Sequence, residues 1–268
     1  MSLFNSYKEE VVLKTKGEIL RLERAGGLAA RVLQFLSSYV RPGMNGLLLE
    51  KICRRRIEAL AHLGRIEKFP DFPSFLSVSI NDTVVHGVPN DRPFRGGDLV
   101  TLDLVLSLDG WYGDTAITIP VGTLSPPHAR LLHTAKRACY AGITAARAGR
   151  RFGDIGAAVE KCARDEGLTV FECFAGHGVG RELHEGPTVY MRGEYQVGRP
   201  IVPGMVFSVE PVFGFGCQEY YVGEDGHSLK SKDASYTALF EHTVAILSDR
   251  TVVLTDPNRH EISTRSVP

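Results

Sequence analysis

The chain has 268 residues, 43% of them hydrophobic and 23% charged, with 31 basic residues balanced by 31 acidic ones. That length buries one large core or two small ones, and zero formal net charge leaves no electrostatic footprint for nucleic acid or an anionic membrane. The cysteines, Cys53, Cys139, Cys162, Cys173 and Cys217, are odd in number and form no C-x-x-C pair. This argues against a disulfide framework or a thiolate zinc site and fits reduced thiols in the cytoplasm.

The N-terminus, MSLFNSYKEEVVLKTKGEIL, mixes charged and apolar residues and lacks the apolar run of a signal peptide. No segment approaches the roughly 20 apolar residues of a membrane span. The expected organisation is a short extension over 1–12, one domain over 13–250 and a tail over 251–268. Thr15 and Glu18 have capping-box spacing, so a helix is predicted from about Thr15 to Tyr39, with Gly26-Gly27 as a weak point inside it and Pro42-Gly43 ending it. Asn45 is the candidate N-cap of a second helix that carries Leu48, Leu49, Ile52 and Ile57 and stops near Gly64. The run Arg54-Arg55-Arg56 falls inside it and reads as a solvated face. FLSVSINDTVVHGVP then alternates as a strand does before turn residues. GGDLVTLDLVLSLDGWYGDTAITIPVG reads as two strands joined at Asp109-Gly110, a strong hairpin signal. Helical patterning returns after Ser125-Pro126-Pro127 and again over roughly Ile155 to Asp165, ending at Gly167. Glycine-rich loops and the strand-like runs MVFSVEPVF and LFEHTVAIL complete the chain.

The order is thus helix, helix, strands, taken twice. R-P-G at 41–43 precedes the helix with Glu50-Lys51-Ile52-Cys53, and R-A-G at 147–149 precedes the one with Glu160-Lys161-Cys162. Two similar halves are expected, with a cleft between them as the natural ligand site.

If Asp109-Gly110 form a two-residue turn, Ser107 faces Tyr112 and Val105 faces Asp114. Asp103 then shares a face with Asp114 as its diagonal cross-strand neighbour, with Cα atoms about 7–8 Å apart. Two carboxylates on apolar strands repel and lose hydration, which a metal ion between them resolves; surface positions are the bland alternative. The second half supplies His177 in AGHGVGRELHEGP, Glu210 in VFSVEPVF and Glu241 in LFEHTVAIL. A glutamate in an apolar strand is costly unless paired or coordinated, so a structural ion pair competes with ligation for each one taken alone. Taken jointly, four carboxylates and one imidazole form a hard, oxygen-rich set suited to two adjacent divalent ions.

These five residues in this order, within SINDTVVHGVP, DLVTLDLVLSLDGWYGDTA, GHGVGRELHEGPTV, PGMVFSVEP and FEHT, resemble the methionine aminopeptidases from about Lys14 to Ile246. The resemblance implies the α+β pita-bread fold of the M24 peptidases, two pseudosymmetric halves with antiparallel sheet around a dinuclear metal site. It implies one metal on Asp103 and Asp114, and another on Asp114, His177, Glu210 and Glu241, with Asp114 and Glu241 bridging. It makes Glu210 the proton acceptor and shuttle, His184 the stabiliser of the oxyanion and His86 the donor near the scissile nitrogen. An oxygen-rich site with one imidazole accepts Co, Mn, Fe, Ni or Zn, and availability decides among them. The implied activity is removal of the initiator methionine from nascent chains when the second residue is small, with the ribosome as an expected place of action. A cytoplasmic monomer is expected. The rival readings are an inactive peptide-binding or ribosome-associated protein of the same fold, or a proline-specific relative; such relatives usually carry a separate N-terminal domain, for which the dozen residues ahead of the first matched helix leave no room.

The side-chain pocket departs from the resembled pattern. Phe69 and Phe72 still offer apolar surface for a methionine side chain, but His227 stands where tryptophan is common, Leu183 where phenylalanine is, Leu239 where glutamine is and Ser77 where cysteine is. These changes bear on specificity and leave the expected ligands intact.

Overall fold

The computed structural model describes residues 10–258; the expected extension and tail lie partly outside them. Helix α1 spans Lys16–Ser37 behind the capping box read from the sequence: the Glu18 amide donates to Thr15 Oγ1 at 3.3 Å and the Thr15 amide to Glu18 Oε2 at 2.8 Å. The helix runs unbroken through Gly26-Gly27. Both are buried: a side chain on Gly26 would press on the Leu254 carbonyl and Thr255, and the helix backbone at Ala25-Gly26 crosses a strand so closely that any side chain on Gly113 would collide with the Ala25 carbonyl. Helix α2, Gly46–Ala59, starts at Asn45, whose Oδ1 accepts the Leu48 amide at 2.9 Å.

The first half continues with β1 (Ile66–Lys68), β2 (Leu76–Ile80), β3 (Thr83–Val85), β4 (Leu99–Leu108) and β5 (Trp111–Pro120). The hairpin β4–β5 has the register expected from its turn, Ser107 against Tyr112 and Val105 against Asp114. Helices α3 (Pro126–Ala145) and α4 (Phe152–Asp165) open the second half. It continues with β6 (Thr169–Val170), β7 (Gly176–Gly178), β8 (Glu185–Val189), β9 (Val206–Val209) and β10 (Val212–Gly214). The last strands are β11 (Tyr220–Val222), β12 (Leu229–Ser231), β13 (Thr237–Leu239), β14 (Glu241–Ile246) and β15 (Thr251–Val253).

The main sheet runs β1-β4-β5-β14-β9-β7-β8 and is antiparallel throughout, with β2 on β4 and β15 on β14. The two halves therefore meet within one hydrogen-bonded sheet, at β5 and β14. Along each strand, alternate residues point to opposite faces. One face is apolar: Leu102, Leu104 and Leu106 join Leu22, Leu28, Val32 and Leu49 of α1 and α2, while Phe207, Val209 and Val244 join Leu131, Ile155 and Val159 of α3 and α4. Truncating one such buried leucine to alanine costs about 2–5 kcal/mol. The other face is a cleft, closed at one side by the small sheets β13-β10-β6 and β11-β12-β3 and their cluster of Phe171, Phe174, Val212 and Leu229.

The domain continues past residue 250. Strand β15 pairs Val244 with Val253, and Leu254 and Thr255 are buried, so residues 251–255 belong to the domain rather than to the expected tail. Among the described residues no helix is long and apolar enough to cross a membrane, and all five cysteines are free thiols.

Candidate active site

The period of two along the strands decides which side chains share the cleft. Asp103 pairs with Ala116, two residues from Asp114 on β5, and Glu241 pairs with the same Ala116 from the other side. On β9, Ser208 pairs with Thr243, so the next outward step of that ladder sets Glu210 against Glu241. Gly178 pairs with Phe207 of the apolar face, which turns His177 to the cleft beside Ser208. The hairpin, the two glutamates and His177 thus converge on one surface because of strand register, with no special loop needed.

The cluster is electrostatically unbalanced as protein alone. One donor atom each from Asp114, His177 and Glu241 lies within 4.8 Å of the others. His177 Nε2 stands 3.6 Å from Asp114 Oδ2 and 3.5 Å from Glu210 Oε1, too far for good hydrogen bonds. Burial pushes the Asp103 carboxyl up to about 7 and that of Glu210 up to about 8. Burial, with neighbouring carboxylates adding to it, raises Asp114 and Glu241 well above the ordinary range. Burial lowers His177 to about 4, which keeps its imidazole neutral, the form that can bind a cation. Asp103 Oδ1 and Glu241 Oε1 are buried with no hydrogen-bond partner.

Family comparison decides the class. The profile of metallopeptidase family M24 matches residues 21–248. The chain is 33% identical over 240 residues to the methionine aminopeptidase of Rickettsia prowazekii (strain Madrid E), covering 89% of this chain and 93% of that one. It is 36% identical over 256 residues to the methionine aminopeptidase of Aquifex aeolicus (strain VF5), covering 92% and 99%. The chain belongs to metallopeptidase family M24. The crystal structure of the Rickettsia prowazekii methionine aminopeptidase superposes with a TM-score of 0.87 at 32% identity, covering 92% of this chain and all of that one. A prolidase from Pyrococcus furiosus, 20% identical, shares the fold at a TM-score of 0.73 over 66% of its own length. The two pseudosymmetric halves of the pita-bread fold, expected from the repeated element order, are those of this M24 domain.

An M24 peptidase uses divalent metal, and the donor set fits it. Donors on a single ion lie about 2.1 Å from it and so within about 4.2 Å of one another, close to the spacing found for Asp114, His177 and Glu241. A cation would also occupy the orphaned oxygens of Asp103 and Glu241 and cancel the repulsion that raises the carboxyl pKa values.

Ring contacts connect several of the remaining expected residues to this cluster. His184 lies edge-on to His177, ring centroids 4.4 Å apart, and edge-on to Phe69 at 5.8 Å. Phe72 lies edge-on to His227 at 5.7 Å. His86 occupies the left-handed region at φ 57°, a conformation that costs a non-glycine residue about 1–3 kcal/mol and is held here by close packing. The following Gly87 passes so near the Val78 carbonyl that any side chain there would collide with it. Burial, assisted by the neighbouring His227, lowers His86 to about 4. Leu183, the chain neighbour of His184, is buried.

Several supporting residues escaped the sequence reading. Ser208 Oγ donates to Glu210 Oε1 at 2.6 Å and accepts the His177 amide at 2.9 Å. Thr115 Oγ1 donates to the Glu241 carbonyl at 2.8 Å, and Thr243 Oγ1 to the Asp114 carbonyl at 2.9 Å. These hydroxyls lie one or two residues from a donor on the strands, a pattern visible in VFSVE, GDT and EHT. Lys14 reaches across the domain to Glu185, beside His184, and nothing local announces that contact.

Proposed function

We propose that this chain is a methionyl aminopeptidase: it hydrolyses the bond after an N-terminal methionine of a nascent polypeptide when the next residue is small. The observation that supports the reading is the group Asp114, His177 and Glu241, with Asp103 and Glu210 set on the same sheet face by strand register, in a chain 33% identical over 89% of its length to a relative named for that activity. Asp103, Asp114, His177, Glu210 and Glu241 would hold two divalent ions, drawn from Co, Mn, Fe, Ni or Zn according to availability. When bound, such ions polarise the scissile carbonyl and acidify the attacking water.

The protein's own groups supply the rest. Glu210 accepts the proton of that water and returns it to the leaving nitrogen. Its Oε1 is held by Ser208, which leaves Oε2 for the proton. His184 hydrogen-bonds the oxyanion that develops on the carbonyl oxygen. His86, strained and desolvated, donates near the scissile nitrogen. Phe69 and Phe72 wall the methionine side chain, with Leu183 and His227 at the rim. Free thiols support a cytoplasmic enzyme, and we take it to act as a monomer on chain termini at or near the ribosome. The complete donor set argues against the inactive binding-protein reading. Turnover of Met-Ala-Ser, Gly-Pro-Ala and Ala-Pro-Gly across added metals tests the assignment: only the first is expected to be cleaved, and a preference for either proline peptide refutes it.

A further inference from the structure

We propose that the side-chain pocket is built to accept methionine sulfoxide as well as methionine, so that the enzyme also removes an oxidised N-terminal residue. This rests on the aminopeptidase reading above and adds a substrate class to it.

The pocket can be traced residue by residue. Phe69 and Phe72 sit on one turn, closed by the Phe72 amide donating to the Phe69 carbonyl at 3.4 Å. Lys68 Nζ ties that turn down by donating to the carbonyls of Phe69, Pro70 and Phe72 at 3.1, 3.3 and 2.7 Å. The two rings reach the cleft through their edge contacts with His184 and His227. On β2, Ser77 pairs with Asp103 and so points to the cleft face. Ser79, on the same face, accepts the Gly87 amide at 3.1 Å, which places Ser77 between the carboxylates and the His86–Gly87 segment.

Two polar atoms of this wall have no partner. Ser77 is 6% exposed and its Oγ makes no hydrogen bond. It is not spent on its cross-strand neighbour, because Asp103 Oδ1 is also partnerless. His227 Nδ1 is buried without a partner, while its backbone amide is fixed on Asp225 Oδ1 at 2.9 Å. A pocket for a thioether needs neither group, since thioether sulfur is a weak acceptor and a buried orphan is costly. A sulfoxide oxygen is a strong acceptor with two lone pairs. The hydroxyl of Ser77 and, in its Nδ1–H tautomer, the ring of His227 are two donors, and Phe69, Phe72 and His227 are only half-buried, so the rim faces solvent. The chemistry is the same hydrolysis: water adds across the peptide bond and the sulfur leaves as oxidised as it entered.

The test compares kcat/KM on Met-Ala-Ser, methionine-sulfoxide-Ala-Ser and norleucine-Ala-Ser, with whichever metal gives the highest Met-Ala-Ser turnover. The sulfoxide peptide is expected within about tenfold of the methionine peptide and above the norleucine peptide, which has similar size and no acceptor. Ser77→Ala and His227→Phe should each lower the sulfoxide-to-methionine ratio about tenfold, or about 1.4 kcal/mol; Ser77→Cys, similar in shape with a weaker donor, gives the same readout should the alanine variant not fold. A sulfoxide peptide cleaved more slowly than the norleucine peptide, or a ratio unmoved in either variant, overturns the proposal. A wild-type enzyme inactive on Met-Ala-Ser itself would instead sink the underlying reading.

Discussion

Replacing Lys14 by methionine should cost stability far from any sequence neighbour. Lys14 Nζ pairs with Glu185, and the two side chains are 4% and 11% exposed. Glu185 Oε1 also accepts the amides of Arg181 and Glu182 at 2.8 and 3.2 Å, so the carboxylate organises the loop that carries Leu183 and His184. The N-terminal segment is held beside it by the Val11–Gly186 bridge and by the Lys14 amide donating to the Gly204 carbonyl at 2.7 Å. Methionine keeps the length of the aliphatic stem and removes the charge, leaving a buried carboxylate unpaired. Breaking a buried pair in this way costs about 3–5 kcal/mol, and the two amides that remain on Glu185 place this case near the lower end. For a domain of this size, each kcal/mol moves Tm by about 2–4 °C, so Lys14→Met should melt roughly 6–12 °C lower. Turnover of Met-Ala-Ser should fall mainly in kcat, because the loop that loosens carries His184. Calorimetry of Lys14→Met, Glu185→Gln and the double variant is the assay. The double variant should recover much of the loss, since no charge is then left unpaired. A Tm shift of about 1 °C or less in the lysine variant, or strictly additive shifts in the double, refutes the reasoning.

Other outcomes follow from the cleft itself. On the proposed assignment Glu210→Gln removes a ligand charge and the proton acceptor together, so metal content and turnover should both drop; near-normal kcat with manganese or cobalt would contradict the role. Alanine at His184 or His86 should leave metal stoichiometry intact and lower kcat by about 10²–10⁴-fold, and loss of an ion in either variant would show that the histidine is a ligand. The carboxyl pKa values set a pH dependence for the metal-free protein. Asp103 is raised from 3.8 to about 7 and Glu210 from 4.5 to about 8. A folded-state pKa above the unfolded one gives stability that is full below about pH 4 and is lost as pH rises through about 7 to 8. Chelator-treated protein should therefore melt progressively lower from pH 5 to 8, with a widening Tm gap to the metal-loaded form; a gap constant with pH counts against the cluster being carboxylates held close without a cation.

What the sequence discloses depends on how local the physics is. The β4–β5 hairpin was legible to the residue because Asp109-Gly110 fixes the turn and the turn fixes the register, so the diagonal placement of Asp103 and Asp114 came with it. The caps at Thr15 and Asn45 are equally local and equally readable. Gly26-Gly27 reads as a weak point because the neighbours that exclude a side chain at Gly26, Leu254 and Thr255, lie far along the chain. Residues 251–255 read as a tail because Thr-Val-Val-Leu is too short to show strand periodicity; only pairing with the part of β14 that lies beyond its β5 partners makes it a strand. Lys14 and Glu185 are 171 positions apart, and no spacing rule joins them. The pairing of β14 with both β5 and β9, which brings the two glutamates to the aspartates, is likewise a tertiary fact.

The proposed metal donors come from neighbouring rungs of one antiparallel sheet, from Asp103 through Asp114 and Glu241 to Glu210 and His177. A slip of one residue in any of these strands would turn its donor into the helix-covered face. Catalytic competence is therefore digital in each molecule: a misregistered copy contributes nothing, and a correctly registered one works at full rate. A preparation damaged by heat or by refolding should behave as a mixture of intact and dead enzyme, its Vmax falling with the native fraction while KM stays where it was. Measured this way, residual activity counts correctly zipped sheets.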